Sequence, residues 1–138
     1  MTASEREKEA RRWPDFAEDD LCAGETLLAS GVVSARQSCY LAQQAGEKAL
    51  KAALIMAAVK YPRTHDLVLL EALVPAGWTV KAHAYDLPDL ERWVTEARYP
   101  DAAMSEATQA DAHSALVSAR NVVESAREDV EARVVGSP

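Results

Sequence analysis

The chain has 138 residues, the size of one ordinary domain, so it can bury a sizeable core without a disulfide or a structural metal. Hydrophobic residues make up 49% but aromatics only 6%, and a composition so rich in alanine and poor in rings is helical. Fifteen Lys and Arg against twenty-two Asp and Glu give a net charge of −7, which argues against a general nucleic-acid coat.

Residues 1–12 mix charges without periodicity and read as a charged segment that frays or forms a loose helical turn. They lack the apolar core of a secretory signal. Trp13-Pro14 marks the entry to a first helix, with Pro14 placed in its first turn. From there Phe16, Ala17, Leu21, Ala23, Leu27 and Leu28 recur at helical spacing, and Gly31 ends the run.

Ser34-Ala35-Arg36-Gln37 reads as a capping box opening a long second helix that reaches about Lys60. Its stripe of Cys39, Ala42, Gly46, Ala49, Leu50, Ala53, Met56 and Ala57 is mostly small. Small side chains let neighbouring helices approach closely, which places this helix at the centre of a bundle. Gln44, Glu47, Lys48 and Lys51 fall on the other side, and Glu47 with Lys51 makes an i,i+4 pair in the favourable order. Tyr61-Pro62 breaks the helix.

Thr64 can cap a short third helix through Leu67, Leu70 and Leu73, and Pro75-Ala76-Gly77 turns the chain. Residues 78–86 form a connection without a clear pattern. Pro88 begins a fourth helix with Leu90, Trp93, Val94 and Ala97 inward, and Tyr99-Pro100-Asp101 stops it. Thr108-Gln109-Ala110-Asp111 resembles an acidic capping box, opening a last helix with Ala112, Leu116, Ala119, Val123, Ala126 and Val130 inward. No strand-like alternation, repeat or linker competes with this pattern. The expected fold is all-α, an antiparallel up-and-down bundle of four or five helices spanning residues 13–134, with a tail at 135–138.

Cys22 and Cys39 form no framework; each falls on an apolar helix face and reads as a small buried thiol. The longest apolar run, Ala52 to Val59, is too short to span a bilayer, so a cytoplasmic protein without a membrane partner is expected. Residues 1–30 carry four basic and eight acidic side chains, and residues 99–138 three and seven. Residues 31–98 carry eight and seven, so a site for an anionic ligand belongs in the middle of the chain.

Several blocks, in order, resemble the HEPN family. They are Trp13 with Ala17, Asp20-Leu21 and Leu27-Leu28; the run from Cys39 to Ala52, including Gln43-Gln44-Ala45-Gly46-Glu47-Lys48-Ala49-Leu50-Lys51-Ala52; Thr64-His65-Asp66-Leu67; Ala97-Arg98-Tyr99-Pro100-Asp101; and the alanine-rich last helix. Together they cover about residues 13–132. The resemblance implies a helical bundle that homodimerises, with kinship to the helical domains that accompany minimal nucleotidyltransferases. No cofactor is expected other than a nucleotide ligand, and the acidic net charge argues against general DNA binding. Some family members are metal-independent ribonucleases acting as toxins in toxin–antitoxin pairs; others bind nucleotides or serve as purely structural partner subunits.

In the nuclease branch an Arg is followed after four to six residues by a His, so that a cation holds the scissile phosphate while an imidazole handles a proton. Arg98 occupies the Arg position, but Ala103, Met104 and Ser105 stand where the His belongs. The motif is therefore absent, and the remaining catalytic candidates are Arg98 with His65 or His113. The candidate ligand site consists of Arg98, Tyr99, Arg63, His65, Asp66, Gln44, Glu47, Lys48 and Lys51. In it Arg98 would clamp an anion and pair with Glu47, Tyr99 would stack on a base, and Arg63 would assist at the start of the third helix. The alternative for His65 and Asp66 is a structural helix cap. For the polar side of the long helix it is a solvated face, and for Arg98 it is a capped helix end.

Overall fold

The computed structural model describes residues 1–32, 34–96 and 107–135, with side chains described at all of these except 85 and 94–96. Among the described residues every element is helical: α1 (Ala3–Ser30), α2 (Ala35–Met56), α3 (Leu67–Leu73), a 3-10 segment (Thr79–Asp86), α4 (Leu87–Glu96) and α5 (Gln109–Ala132). The long helices α1, α2 and α5 pack on one another, α3 and α4 cover the remaining side of α2, and the 3-10 segment packs on α5 and α4. The expected all-α bundle is what forms. Among the described residues no helix is long and apolar enough to cross a membrane.

The small stripe does what its spacing implies. Cys39, Ala42, Ala49, Leu50 and Ala53 are fully buried, and α2 meets α1, α3, α4 and α5. Gly46 lets Leu90 and Leu67 come close, so that a Cβ there would touch Leu90 Cδ1 at 3.6 Å. Across α1, Gly24 packs so tightly that a Cβ would meet Leu116 Cδ2 at 2.9 Å. Its carbonyl accepts from the buried Ser38 hydroxyl at 2.8 Å, which ties α1 to α2 where the backbones are near.

The first helix differs from expectation at its start. It begins at Ala3, not at Trp13, because Thr2 and Glu5 form a reciprocal capping box. Pro14 therefore lies inside the helix, where it removes a backbone donor at a cost of about 3 kcal/mol. The turns ahead of it are held by tertiary contacts. Ala10 is buried with Ala52 and Val130, flanked by Trp13, Ile55 and Met56. Arg11 pairs with Glu131 at 2.9 Å, and Glu7 accepts from Val135 N–H at 2.9 Å. On the same helix the buried stripe is Ala10, Pro14, Ala17, Leu21 and Gly24. Phe16, Ala23 and Cys22 fall outside it and are exposed, contrary to the expectation of a buried thiol at Cys22. Phe16 instead stands edge-on to Trp13 at 6.2 Å, with the Arg12 guanidinium 5.4 Å from its ring.

The second helix starts where expected, with the Ser34 hydroxyl accepting from Arg36 N–H, but it stops at Met56 rather than Lys60. The stop is a Schellman turn. Val59 N–H reaches Leu54 O and Ala58 N–H reaches Ile55 O, at 3.0 and 3.1 Å. Ala58 takes the left-handed position with φ 58°, which glycine usually fills. The third helix is capped by Asp66, whose side chain accepts from Leu69 N–H. Thr64, the expected cap, instead accepts from Asp66 N–H at 3.0 Å.

Residues 79–86, patternless in sequence, are organised from outside. Asp129 on α5 is only 2% exposed, and it accepts from Thr79 N–H at 2.7 Å and Val80 N–H at 2.8 Å. Lys81 in turn caps α3 by donating to the carbonyls of Glu71 and Val74 at 2.8 and 2.9 Å. The last helix opens on the reciprocal Thr108/Asp111 box, and Ala112, Leu116, Ala119, Val123, Ala126 and Val130 are all buried as expected.

Two stability measurements follow from these backbone devices. Ala58→Gly removes a left-handed alanine and is expected to raise stability by about 0.5–1 kcal/mol in urea unfolding; a loss would show that the turn is unstrained. Asp129→Asn leaves one buried N–H facing an amide donor and is expected to cost about 2–3 kcal/mol, with an unchanged midpoint as the contrary result.

Candidate functional site

The polar residues of α2 converge on the loop between α2 and α3. Glu47 is their centre. Its side chain is 7% exposed, and its two oxygens are held by different partners: Oε2 by Lys51 Nζ at 2.9 Å and Oε1 by His65 Nδ1 at 2.7 Å. Burial alone would push the Glu47 carboxyl up, but the hydrogen bonds from Lys51 and His65, with the charges behind them, outweigh it and hold the group below its ordinary value. The i,i+4 pair read from the sequence is thus present.

Gln43, one turn before Glu47 and fully buried, completes the clamp. Its side-chain amide lies 3.5 Å from Glu47 Oε1 and donates to the His65 carbonyl at 3.3 Å, while Gln44 donates to Gln43 Oε1 at 2.7 Å. His65 is therefore fixed twice, by ring and by backbone. Its side chain is still half exposed. With Nδ1 engaged by a carboxylate, Nε2 is the nitrogen left for a ligand or a proton.

Around this centre the loop 57–66 is basic. Lys60 and Arg63 are exposed and make no hydrogen bond or ion pair with any described residue. Tyr61 lies half-buried beneath Lys51, whose Nζ is 6.0 Å from the ring centre. Burial first, then the charges of Glu9 and Glu47, push its phenol up, so it stays a neutral hydrogen-bonding group.

The other expected members are placed differently. Lys48 turns to α1 and pairs with Asp20 at 2.6 Å, so its charge is engaged in the α1–α2 seam. Asp66 serves α3 as its cap, the structural alternative to a ligand contact. His113 is exposed and lines a cleft of about 430 Å³ between α1 and α5, with Leu28, Ala29 and Val117, apart from the groups around Glu47. Arg98 and Tyr99 lie outside the described residues. The partners of Glu47 within them are His65 and Lys51, where the sequence pattern points to Arg98. Among the described residues no group of three or more His, Cys, Asp or Glu is placed to hold a metal ion.

Sequence reasoning passes over Gln43, Asp20 and Tyr61 as site residues. Gln43 has a usable signal: it stands at i−4 from Glu47, and so shares its face, on a helix that is otherwise small and apolar. Asp20 and Tyr61 have none, because their roles depend on how α1 and the loop fold back on α2.

Comparison with known proteins agrees with this architecture. The family model described as HEPN domain matches residues 10–129. The crystal structure of TT1696 from Thermus thermophilus is similar, with 28% identity and a TM-score of 0.75, covering 88% of this chain and 98% of that one. The crystal structure of ST0689, an archaeal HEPN homologue, shares the fold at 23% identity and a TM-score of 0.69, with the same coverage. A search of curated proteins found no significant match. With the family model spanning most of its length and the bundle matching an archaeal HEPN homologue, the chain belongs to the HEPN family.

Proposed function

We propose that this HEPN protein works as a homodimeric bundle that binds a phosphate-bearing nucleotide or RNA ligand at the loop 57–66. The observation that carries the reading is a pair of cations without a partner among the described residues, Lys60 and Arg63, beside a half-exposed His65. In an acidic protein, cations left without carboxylate partners form a local anion-attracting patch. Arg63 supplies a planar fork suited to two phosphate oxygens, and Lys60 a compact second charge. His65 Nε2 adds a directed contact, because Glu47 and Gln43 hold the ring and the backbone in place. Tyr61 offers an aromatic edge against which a base can rest. Family kinship adds a small nucleotidyltransferase as the partner whose co-purification is to be sought.

A second reading rests on the 2.7 Å contact between Glu47 and His65. A carboxylate that fixes one ring nitrogen orients the other as a general base, the arrangement that serves proton abstraction in many hydrolases. On RNA, that nitrogen would take the proton of a 2′-hydroxyl. The 2′-oxygen would form a bond to phosphorus and the 5′-oxygen would leave, with no metal required. Arg98 is the cation this reading adds.

Titration with nucleotides during heat-induced unfolding tests the first reading. Ligand at a hundred times its Kd is expected to add about 2.7 kcal/mol of stability. The Lys60→Ala/Arg63→Ala double variant, which breaks no internal pairing, is expected to fold normally and to bind about 10- to 100-fold more weakly. Equal binding by both proteins, or none by either, counts against it. For the second reading, RNA is incubated with a chelator present. His65→Ala is expected to slow cleavage about a hundred- to ten-thousand-fold, and cleavage that is absent in wild type or indifferent to His65 refutes it.

A further inference from the structure

Ion pairs close most of the seam between the antiparallel helices α1 and α5. Arg11 meets Glu131 at 2.9 Å, Asp15 meets Arg127 at 3.0 Å, and Glu18 meets Arg120 at 3.2 Å. Beyond Glu25 the seam changes character and opens. Leu28 and Ala29 on α1, with Leu116 and Val117 on α5, line a cleft of about 430 Å³. Leu116 lies down on Gly24, where a Cβ would meet its Cδ2 at 2.9 Å, so it makes the floor of the cleft and does not fill it. Val117 remains half exposed, a valine with its methyls turned to an open, apolar space.

We propose that this cleft binds a small organic cation, with the apolar body of the ligand along Leu28, Leu116 and Val117 and its ammonium head at Glu25. The dimensions suit such a molecule. Small-molecule sites occupy about 300–1,000 Å³ and combine apolar walls with a few polar groups, which is the make-up of this cleft. Its ends are marked on α5 by His113 and Arg120. They stand seven residues apart, so the apolar stretch between them is about 10 Å long. That length takes a ring with a short alkyl chain.

The polar end of the cleft sets the sign of the ligand. Arg120 is met there by Glu18 at 3.2 Å, Glu25 at 2.5 Å and Glu124 at 3.8 Å. One guanidinium against three carboxylates leaves that end doubly negative. Both terminal nitrogens of Arg120 already donate, Nη1 to Glu18 and Nη2 to Glu25, so the fork is closed to an incoming anion. Glu25 lines the cleft and gives Oε1 to Arg120, while its Oε2 accepts from no described residue. An ammonium group, with three donors and no acceptor, matches that oxygen and the excess of negative charge around it.

The cleft therefore selects the opposite charge to the loop 57–66, and the two readings stand independently. The loop offers Lys60 and Arg63 to an anion; the cleft offers Glu25 and an apolar floor to a cation. His113 closes the far end of the cleft, which gives this histidine a place in a binding site without a part in catalysis.

The test uses three probes that share one body and differ in the head: phenylbutylamine, phenylbutanol and phenylbutanoate. Each is titrated into the full chain while the methyl resonances of Leu28 and Val117 are followed. The amine is expected to shift both methyls and to bind about 3- to 10-fold more tightly than the alcohol, with the carboxylate weakest. Added salt is expected to shrink that preference. Glu25→Gln is expected to remove most of the amine's advantage and to leave binding of the alcohol unchanged. Ala29→Phe, at an exposed position on the cleft wall, is expected to fill the space and abolish binding of all three. Methyls that stay silent to every probe, as they would beneath a second copy of the chain, overturn the proposal. So do affinities indifferent to the charge of the head, or an amine preference that survives in Glu25→Gln. The order of the wild-type affinities decides alone if a variant does not fold.

Discussion

A central helix packed against four others keeps only a narrow, half-exposed strip for its polar groups. That constraint shapes the rest of this bundle. Gln43, Ser38 and Glu47 on α2 are all buried, and each must find a partner or destabilise the fold. Ser38 takes the Gly24 carbonyl, which draws α1 close. Gln43 and Glu47 take His65, which draws in the loop leading to α3. The polar residues of α2 thus choose where the peripheral segments lie, while its alanines set how near the other long helices come.

This division also explains the form of the candidate site. The groups that hold it are buried and mutually satisfied, and the groups that can meet a ligand are the loop residues they hold. Glu47 does not need an external cation, because Lys51 and His65 already occupy its two oxygens. An anion approaching the loop meets Lys60, Arg63 and the outer edge of His65, not the carboxylate. A site with its negative charge internally compensated and its positive charge uncompensated at the rim selects anions without requiring a basic protein.

Much of this is legible in the chain itself. The small stripe of α2, the Thr108/Asp111 box and the inward residues of α5 follow from periodicity and capping chemistry, which act over a few residues. The Glu47–Lys51 pair follows from i,i+4 spacing in the same way. What is not legible depends on distant groups. Asp129 organises residues 79–86 from fifty residues away, so that segment has no pattern of its own. The reach of α1 back to Ala3 depends on contacts with α5 as much as on the Thr2/Glu5 box, and Pro14 points the other way. Ala58 in a left-handed turn carries no sequence mark, because the residue that would announce it is glycine. Arg98, the partner expected for Glu47, lies outside the described residues, and the spacing alone does not show that the chain beyond the turn at Ala58 brings His65 back onto α2.

His65 and Asp66 are successive residues with different tasks: Asp66 caps α3, while the ring of His65 is held by a carboxylate whose grip depends on pH. Glu47 is held below its ordinary value, so its grip on His65 is full above about 4.5 and fails as pH falls through its folded value. Near neutrality that clasp is closed, so the imidazole keeps the orientation that Glu47 gives it while its outer edge faces the loop's cations.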